Sequence, residues 1–288
     1  MNYHTPEETA VLAVNAGSKK ASLPVYKMIL LGILAGVYIG FGANIAIKIG
    51  SAPDSNSALG IFLYGAVFSI GLMLVMICGA ELFTGNNMTC FMAVLDGKAT
   101  VGGLFRNWVV VYLSNFIGSV LLAYIVFLAM FWVTHDPSGT VILSPVGEKA
   151  VYIAKNKMGL SFSAAFMRGI LCNWMVCLAV FMALAAKDIV GKIFGIFFPI
   201  MAFVSSGYEH CVANMFYVPY GIIVAKAAPH ATASSLGISA AEINNIFTYG
   251  HFITSNLIPV TLGNIVGGAI FVGTFYYFVY IKQHSSKI

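Results

Sequence analysis

Two short stretches of this chain share the pattern G-x-E-x-x-x-[GA]-N: GAELFTGN at residues 79–86 and GYEHCVAN at residues 207–214. Each lies within a long apolar segment, and each places a glutamate, Glu81 or Glu209, at the same position of the pattern. Both stretches are poor in helix-forming residues, so each predicts a break in the surrounding helix. Matched breaks at corresponding positions indicate an internal repeat, and this pair therefore decides the fold.

The composition around these stretches is that of a membrane protein. Only 9% of the 288 residues are Asp, Glu, Lys or Arg, against about 25% in a soluble domain. Hydrophobic residues make up 59%, and a soluble globule could not cover its surface with so few charges. The composition excludes a cytosolic enzyme, a nucleic-acid-binding protein and a disordered chain.

Six apolar segments are long enough to cross a hydrocarbon layer about 30 Å thick. They cover residues 28–50, 58–95, 104–133, 161–186, 189–224 and 251–281. The polar, amphipathic residues 1–26 precede them and contain no long apolar run. We predict that this N-terminal segment forms a surface helix on the cytoplasmic side.

Basic residues predict the orientation of the six segments. An even number of spans places both termini on one side, and that side carries nine lysines and arginines, Lys287 among them, against six on the other. Basic residues favour the cytoplasmic side. The prediction is a multi-pass protein of the cell inner (plasma) membrane with cytoplasmic N- and C-termini.

Three matches between the halves of the chain predict an inverted repeat. GIL occurs at residues 32–34 and again at 169–171, the two break motifs follow, and SNFIGS at 114–119 matches GNIVGG at 263–268. The offsets are 137, 128 and 149 residues, in the same order along the chain. Three spans per half place the second half upside down relative to the first, as in many transporters and channels.

These observations predict an all-α membrane protein of six transmembrane helices, with the second and fifth helices broken. The chain, 1–288, forms one transmembrane domain, with repeat halves at about 27–133 and 161–281. An acid at mid-membrane costs about 2.5–3.5 kcal/mol, so Glu81 and Glu209 are expected to accept hydrogen bonds from the broken backbone. Direct contact with a transported substrate is the alternative.

Polar side chains in the breaks are the candidates for function. His210 is the only one of six histidines within a break at mid-span, and its unperturbed pKa of about 6.5 suits a proton donor to a passing anion. A hydrogen-bonded core histidine is the alternative. Thr84, in the other break, offers a hydroxyl or caps the following helix. Asn173, the one strongly polar residue of its apolar stretch, bonds across helices or faces a pore.

The two motifs also end on asparagines, Asn86 and Asn214, which we expect to support the loops together with the glutamates. No metal site or cofactor is predicted, because no second histidine stands at ligand spacing from His210 and the five cysteines are scattered. We interpret the cysteines as small packing residues. Aromatic and leucine side chains near the breaks have packing or lipid contact as their default interpretation.

Four motifs at these positions resemble the formate/nitrite transporter family, over residues 5–282. MICGAELFTG (76–85) and GILCNWMVCLA (169–179) are similar to the two signature segments of that family. SGYEHCVANMF (206–216) is similar to its broken fifth helix and NLIPVTLGNIVGG (256–268) to its sixth. The resemblance implies an aquaporin-like fold, assembled in the lipid bilayer as a homopentamer in which every protomer has its own pore. It implies small monovalent weak-acid anions as substrates: formate, nitrite, hydrosulfide, and in some members acetate or lactate.

The resemblance also assigns residues. The family's central histidine corresponds to His210, its threonine to Thr84 and its fourth-helix asparagine to Asn173. Its vestibule lysine corresponds to Lys157, with Lys155 as the rival. Two hydrophobic constrictions are implied, formed by Phe68, Leu72, Leu82, Phe83 and Phe203.

The expected function is therefore a channel or transporter, not an enzyme, for a small weak-acid anion and protons, with formate favoured. A bare carboxylate is too costly to move into a low dielectric. An outer lysine would concentrate the anion, His210 would protonate it, and the neutral acid would pass the apolar constrictions.

Four alternatives stay open at this point. His210 could remain a fixed cation, and nitrite or hydrosulfide could be the anion. A neutral-solute pore of the aquaporin type predicts paired NPA motifs, which the sequence lacks. A membrane-embedded enzyme needs a second catalytic group, for which Cys211 is the sequence's one candidate.

Overall fold

The computed structural model describes residues 3–282, and these residues fold mainly into helices; Lys287, counted above, lies outside them. The helices are α1 Pro6–Ala21, α2 Val25–Gly50, α3 Ala58–Phe68, α4 Ile70–Leu74, α5 Phe83–Leu95, α6 Val101–Leu128, α7 Pro145–Met158, α8 Phe162–Ala185, α9 Ile189–Ser205, α10 Cys211–Ala227, α11 Pro229–Leu236, α12 Ala240–Ile246, α13 Tyr249–Phe252 and α14 Ile258–Ile265. Segments of π-helix cover Val75–Gly79, Ile253–Leu257, Val266–Thr274 and Tyr277–Ile281. Strands β1 Val133–His135 and β2 Val141–Leu143 pair antiparallel.

The chain crosses the membrane six times, as predicted. Five apolar helical stretches are long enough to span by themselves: Val25–Gly50, Ala58–Gly79, Val101–Leu128, Phe162–Ala185 and Tyr249–Ile281. The remaining crossing is the shorter apolar helix α9, followed by a break and by α10. Both termini of the described chain therefore lie on one face, and the loops that hold α7, α11 and α12 lie on the other.

Short polar side chains set where the spanning helices begin. Thr100 caps α6 by accepting the Gly103 N–H (3.0 Å), and Asp188 caps α9 by accepting the Gly191 N–H (2.7 Å). Each cap satisfies a backbone donor that has no partner within the first helical turn. The boundaries of the spans are thus encoded locally.

The third span is shorter than the sequence predicts. The apolar run extends to residue 133, but α6 ends at Leu128, because Met130 adopts a left-handed backbone conformation with φ of 60°. Trp132 turns inward and is 5% exposed, and its indole N–H donates to the Phe127 carbonyl (3.0 Å). Trp132 therefore packs on the protein itself and does not extend the span, whereas Met130 and Phe131 beside it are exposed.

Two surface helices occupy matching places in the two halves. Helix α1 begins with a capping box between Thr5 and Glu8 and packs on α5. Helix α7 packs in the same way on α10. The predicted surface helix within residues 1–26 is thus present as α1, and it has a counterpart in α7 that the predicted halves, about 27–133 and 161–281, leave out.

The long spans approach one another very closely at glycines. A Cβ at Gly118 in α6 would overlap the carbonyl of Ile33 in α2, so the two backbones touch there. Small residues permit this approach, and van der Waals contact is a main source of helix association in lipid. The close α2–α6 contact fixes the position of Asn115, one turn before Gly118.

Candidate functional site

Both breaks are built on a glycine with positive φ. The helical part of the second span before its break ends at Gly79 (φ 83°), and the fifth span is interrupted at Gly207 (φ 70°); these are the matched first residues of the two motifs. An L-amino acid with a side chain adopts this conformation at a cost, whereas glycine adopts it freely. After the glycines, extended backbone at Leu82 and at His210 leads into α5 and α10. Both breaks predicted from the sequence are confirmed.

A buried asparagine from the sixth span holds the second of these breaks in place. The side-chain amide of Asn264 donates to the carbonyls of Gly169 (2.8 Å) and Glu209 (3.0 Å), and its oxygen accepts the Cys211 N–H (2.9 Å). These bonds satisfy backbone groups that the broken helix leaves unpaired in an apolar surrounding.

Asn115 performs the same task in the first half. Its amide donates to Gly32 (2.8 Å) and Glu81 (2.9 Å), and its oxygen accepts the Phe83 N–H (3.0 Å). The sequence comparison aligns Asn115 with Asn264 but assigns neither a role. The matched places of these two asparagines in the repeat were the sequence feature from which their shared role could have been predicted.

The two glutamates bind side chains, not the backbone donors expected from the sequence. The Glu209 carboxylate accepts from Lys157 Nζ (2.8 Å), from the Asn214 amide (2.6 Å) and from the Asn256 amide (3.2 Å). The Asn256 amide also donates to the Lys157 carbonyl (3.0 Å), which closes the cluster. The Glu209 side chain is only 4% exposed, so water cannot compensate its negative charge, and Lys157 compensates it inside the protein.

The first half repeats this cluster around Glu81. Its carboxylate accepts from Lys20 Nζ (2.6 Å) and from the Asn86 amide (2.8 Å). Asn107 accepts from Asn86 (2.9 Å) and donates to the Lys20 carbonyl (3.0 Å). Lys20 was missed as a site residue, although it precedes Lys157 by 137 residues, the offset already seen between the two GIL segments.

Lys157 marks a cavity of about 260 Å³ on the face opposite the termini, which we name the Lys157 cavity. Lys157, Glu209 and His210 line it on its polar side. Phe68 and Phe203 belong to its apolar wall, with ring centroids 6.0 Å apart. The rival lysine, Lys155, is absent from this lining, so Lys157 is the one of the two that lines the cavity.

A second, smaller cavity of about 50 Å³ lies on the face of the termini, beside Lys20, and we name it the Lys20 cavity. Leu72 and Leu82 line it, together with valine, methionine and leucine side chains. Phe68 lines one cavity and Leu72, four residues later, lines the other, so the two cavities approach within about one helical turn, roughly 6 Å. Both side chains are only 2% exposed and lie at the barrier between them.

His210 lines the Lys157 cavity and meets the other half of the repeat. Its Nε2 lies 3.0 Å from Thr84 Oγ1, and its Nδ1 accepts the Ala213 N–H (3.1 Å). A nitrogen that accepts a hydrogen bond carries no proton, so the bonding pattern assigns a neutral ring that donates Nε2–H to Thr84. The Phe203 ring stacks against it with centroids 6.1 Å apart.

Three predicted site residues, Thr84, Asn173 and Phe83, belong to neither cavity lining. Asn173 is fully buried and donates to the carbonyls of Thr84 (3.2 Å) and Asn264 (2.7 Å), so it positions the two halves of the site from behind. Phe83 packs edge-on against Tyr112 with ring centroids 4.8 Å apart and belongs to neither cavity lining. Of the five residues predicted to form constrictions, Phe68 and Phe203 line the Lys157 cavity and Leu72 and Leu82 line the Lys20 cavity.

Four of the five cysteines are buried, and all five are free thiols. Within residues 3–282, no group of three or more His, Cys, Asp or Glu side chains is placed to hold a metal ion. The polar side chains at the breaks include one histidine, one hydroxyl and two ion pairs, and Arg168 also lines the Lys157 cavity.

This architecture is matched by a known family. A family model described as formate/nitrite transporter matches residues 7–278. The chain belongs to the formate/nitrite transporter family. It is 42% identical over 98% of its length to a probable formate transporter of Methanothermobacter thermautotrophicus, of which it covers 99%. It is 38% identical over 99% of its length to the formate channel BtFdhC of Bacillus thuringiensis, again covering 99%.

A solved structure supports the same assignment. A pentameric formate channel with formate bound superposes with a TM-score of 0.74 at 38% identity, over 92% of this chain and 99% of the other. The formate/nitrite transporter family consists of channels and transporters and not of enzymes, and the inverted repeat with broken second and fifth helices is the fold expected for a member. Five side chains that bind the two glutamates, their asparagine partners or the backbone of the breaks were not predicted from the sequence: Lys20, Asn107, Asn115, Asn256 and Asn264.

Proposed function

We propose that this protein carries formate, together with one proton, across the plasma membrane, through a pore within each protomer of a homopentamer. The observation that carries the proposal is His210, a nearly buried titratable ring that lines the Lys157 cavity beside the apolar barrier. Formate is favoured because relatives that match nearly the whole chain are named formate transporter or formate channel. The termini lie in the cytoplasm in this proposal, and the Lys157 cavity opens to the outside.

The apolar barrier requires a neutral passenger. Phe68, Leu72, Leu82 and Phe203 offer a carboxylate no hydrogen bond to replace those it makes with water. Burying an unpaired charge in such surroundings is prohibitively costly, and ionisable groups respond by changing protonation state. A strong-acid anion such as chloride cannot do so and is rejected.

His210 supplies the proton. The neutral ring bonds Ala213 through Nδ1 and Thr84 through Nε2. An anion in the Lys157 cavity stabilises the cationic ring by charge attraction. A proton from water in the Lys157 cavity binds Nδ1, whose bond to Ala213 opens, and the Nε2 proton then passes to the anion. The ring is left neutral with its proton on Nδ1, and exchange of that proton for one on Nε2 resets it. Thr84 orients the ring throughout, and Lys157 offers its remaining N–H donors at the mouth.

Oligomer formation rests on the outer surface of the spans. Many large apolar side chains of α2, α6 and α8 are exposed on the single protomer, among them Leu30, Leu113 and Met167. In a membrane such faces contact lipid or a second protomer. The homopentamer is inferred from the pentameric solved structure that the chain resembles.

The test is formate flux into proteoliposomes with the His210→Asn variant. Asparagine retains a cap for α10 but cannot titrate at these pH values. We expect formate uptake driven by an inward proton gradient in the natural protein, and its loss in His210→Asn. Unchanged proton-driven uptake in the variant would contradict the histidine mechanism.

Substrate choice and coupling are separated in the same vesicles. A panel of formate, nitrite, hydrosulfide and acetate at two pH values ranks the anions. Formate transport that is electrogenic and ignores the proton gradient would favour the second candidate, a channel in which the anion passes charged. The bond from the Ala213 N–H to Nδ1 argues against a permanently cationic ring.

A further inference from the structure

The lysines at the two mouths are not free cations. Lys157 forms an ion pair with Glu209 at 2.8 Å, and Lys20 forms one with Glu81 at 2.6 Å. Each pair sums to zero charge, so neither lysine by itself makes its mouth positive. Attraction of anions by long-range charge therefore needs another group.

Arg168 is that group, and it is present at one mouth only. Arg168 is exposed and lines the Lys157 cavity. Throughout residues 3–282, the ion pairs found leave the Arg168 guanidinium without a carboxylate partner. The Lys157 cavity thus carries one uncompensated positive charge, since its titratable lining otherwise consists of the Lys157–Glu209 pair, neutral His210 and tyrosines.

Comparison of the two halves of the repeat shows that this positive charge is present in the second half and not at the equivalent place in the first. The Glu209 N–H donates to the Arg168 carbonyl (3.3 Å), and in the other half the Glu81 N–H donates to the Leu31 carbonyl (3.2 Å). Arg168 and Leu31 therefore hold equivalent places behind the two breaks. The half with the leucine has an ion pair but no extra cation in the lining of the Lys20 cavity.

We propose that Arg168 is the carboxylate-capturing residue of the Lys157 mouth and makes the pore bind its anion more tightly from that face than from the other. A guanidinium presents two parallel N–H donors that match the two oxygens of a carboxylate. Formate, and likewise nitrite, engages both donors, whereas a one-centre anion such as hydrosulfide engages them less well. Arg168 thus adds both charge and a preference for two-oxygen anions.

The proposal rests on anion transport by this pore and is tested on oriented membrane vesicles. KM for formate is measured from each face for the natural protein and for Arg168→Gln. We expect Arg168→Gln to raise KM at the Lys157 face by roughly three- to tenfold and to leave KM at the Lys20 face unchanged. The salt dependence of KM at the Lys157 face should weaken at the same time.

Two further variants complete the test. Lys155→Gln removes a positive charge from the same helix as Lys157 but outside the cavity lining, and it should change KM by less than about twofold. Arg168→Lys keeps the charge without the fork, so KM should rise for formate and stay near the natural value for hydrosulfide. If Arg168→Lys changes KM equally for formate and hydrosulfide, the two parallel N–H donors do not select two-oxygen anions. If KM is equal at both faces before and after Arg168→Gln, Arg168 does not capture the anion. Absence of formate flux in the natural protein would instead refute the proposed function, which keeps the two failures apart.

Discussion

Thr84 Oγ1 and His210 Nε2 lie 3.0 Å apart, although 126 residues separate them in the chain. One side chain begins the half-helix after the first break, and the other caps the half-helix after the second. The bond joins the two halves of the inverted repeat where the apolar barrier meets the Lys157 cavity. It fixes the plane of the imidazole, and the Ala213 N–H on Nδ1 fixes the tautomer of the ring.

Removing this hydroxyl tests its role. We expect Thr84→Val, which has nearly the same shape, to reduce proton-driven formate uptake by roughly tenfold, because the buried Nε2–H loses its acceptor. Thr84→Ser should retain most of the uptake. Flux in proteoliposomes and thermal unfolding in detergent are measured together, and equal uptake in the valine and serine variants would contradict a role for the bond.

The Lys157–Glu209 pair should be strongly coupled. Glu209 is 4% exposed and Lys157 16%, so removing one partner leaves a charge without compensation inside the protein. We expect Lys157→Met or Glu209→Gln alone to cost about 3 kcal/mol of unfolding free energy, and the double variant to cost less than the sum of the two.

The control for that cycle is the Lys98–Asp96 pair, whose nitrogen and oxygen lie 3.0 Å apart and whose lysine is 49% exposed. Lys98→Met and Asp96→Asn should couple by less than about 1 kcal/mol. Similar coupling energies in the two cycles would show that burial does not strengthen the Lys157 pair.

Asn264 should contribute more to stability than an ordinary polar residue. Asn264→Ala deletes three hydrogen bonds to the backbone of the fifth-span break and of α8. At about 1 kcal/mol for each bond, the expected loss is about 3 kcal/mol. Asn244→Ala, at an exposed position of α12, serves as the control and should have little effect on the unfolding temperature.

Glycine substitutions should separate backbone strain from steric overlap. A Cβ at Gly207 meets no atom within 4 Å, so Gly207→Ala pays only for its φ of 70°, about 1–2 kcal/mol. Gly118→Ala instead forces α2 and α6 apart at Ile33 and should be more damaging. Thermal unfolding ranks the two, and the reverse order would contradict the close contact between α2 and α6.

Much of the fold follows from the sequence by itself. Scarcity of charge requires a membrane, apolar runs of sufficient length give six spans, and the paired G-x-E motifs give two breaks in an inverted repeat. These features are readable because each depends on local composition or on residues close together in the chain. The end of the third span was predicted too far along the chain, since hydrophobicity does not distinguish a lipid-facing residue from Trp132, which packs against its own protein.

The site required the tertiary structure. Sequence identifies His210 and Glu209 as unusual, but it does not show that the carboxylate takes Lys157 and two asparagines as partners while Asn264 binds the backbone. Nor does it show that Asn173 and Phe83 lie outside both cavity linings, or that Arg168 lines the Lys157 cavity without a carboxylate partner. Those facts depend on which side chains meet across distant segments of the chain. The sequence determined that a few polar groups must lie inside an apolar protein; three-dimensional packing decided which of them cancel one another and which remain free to meet an anion.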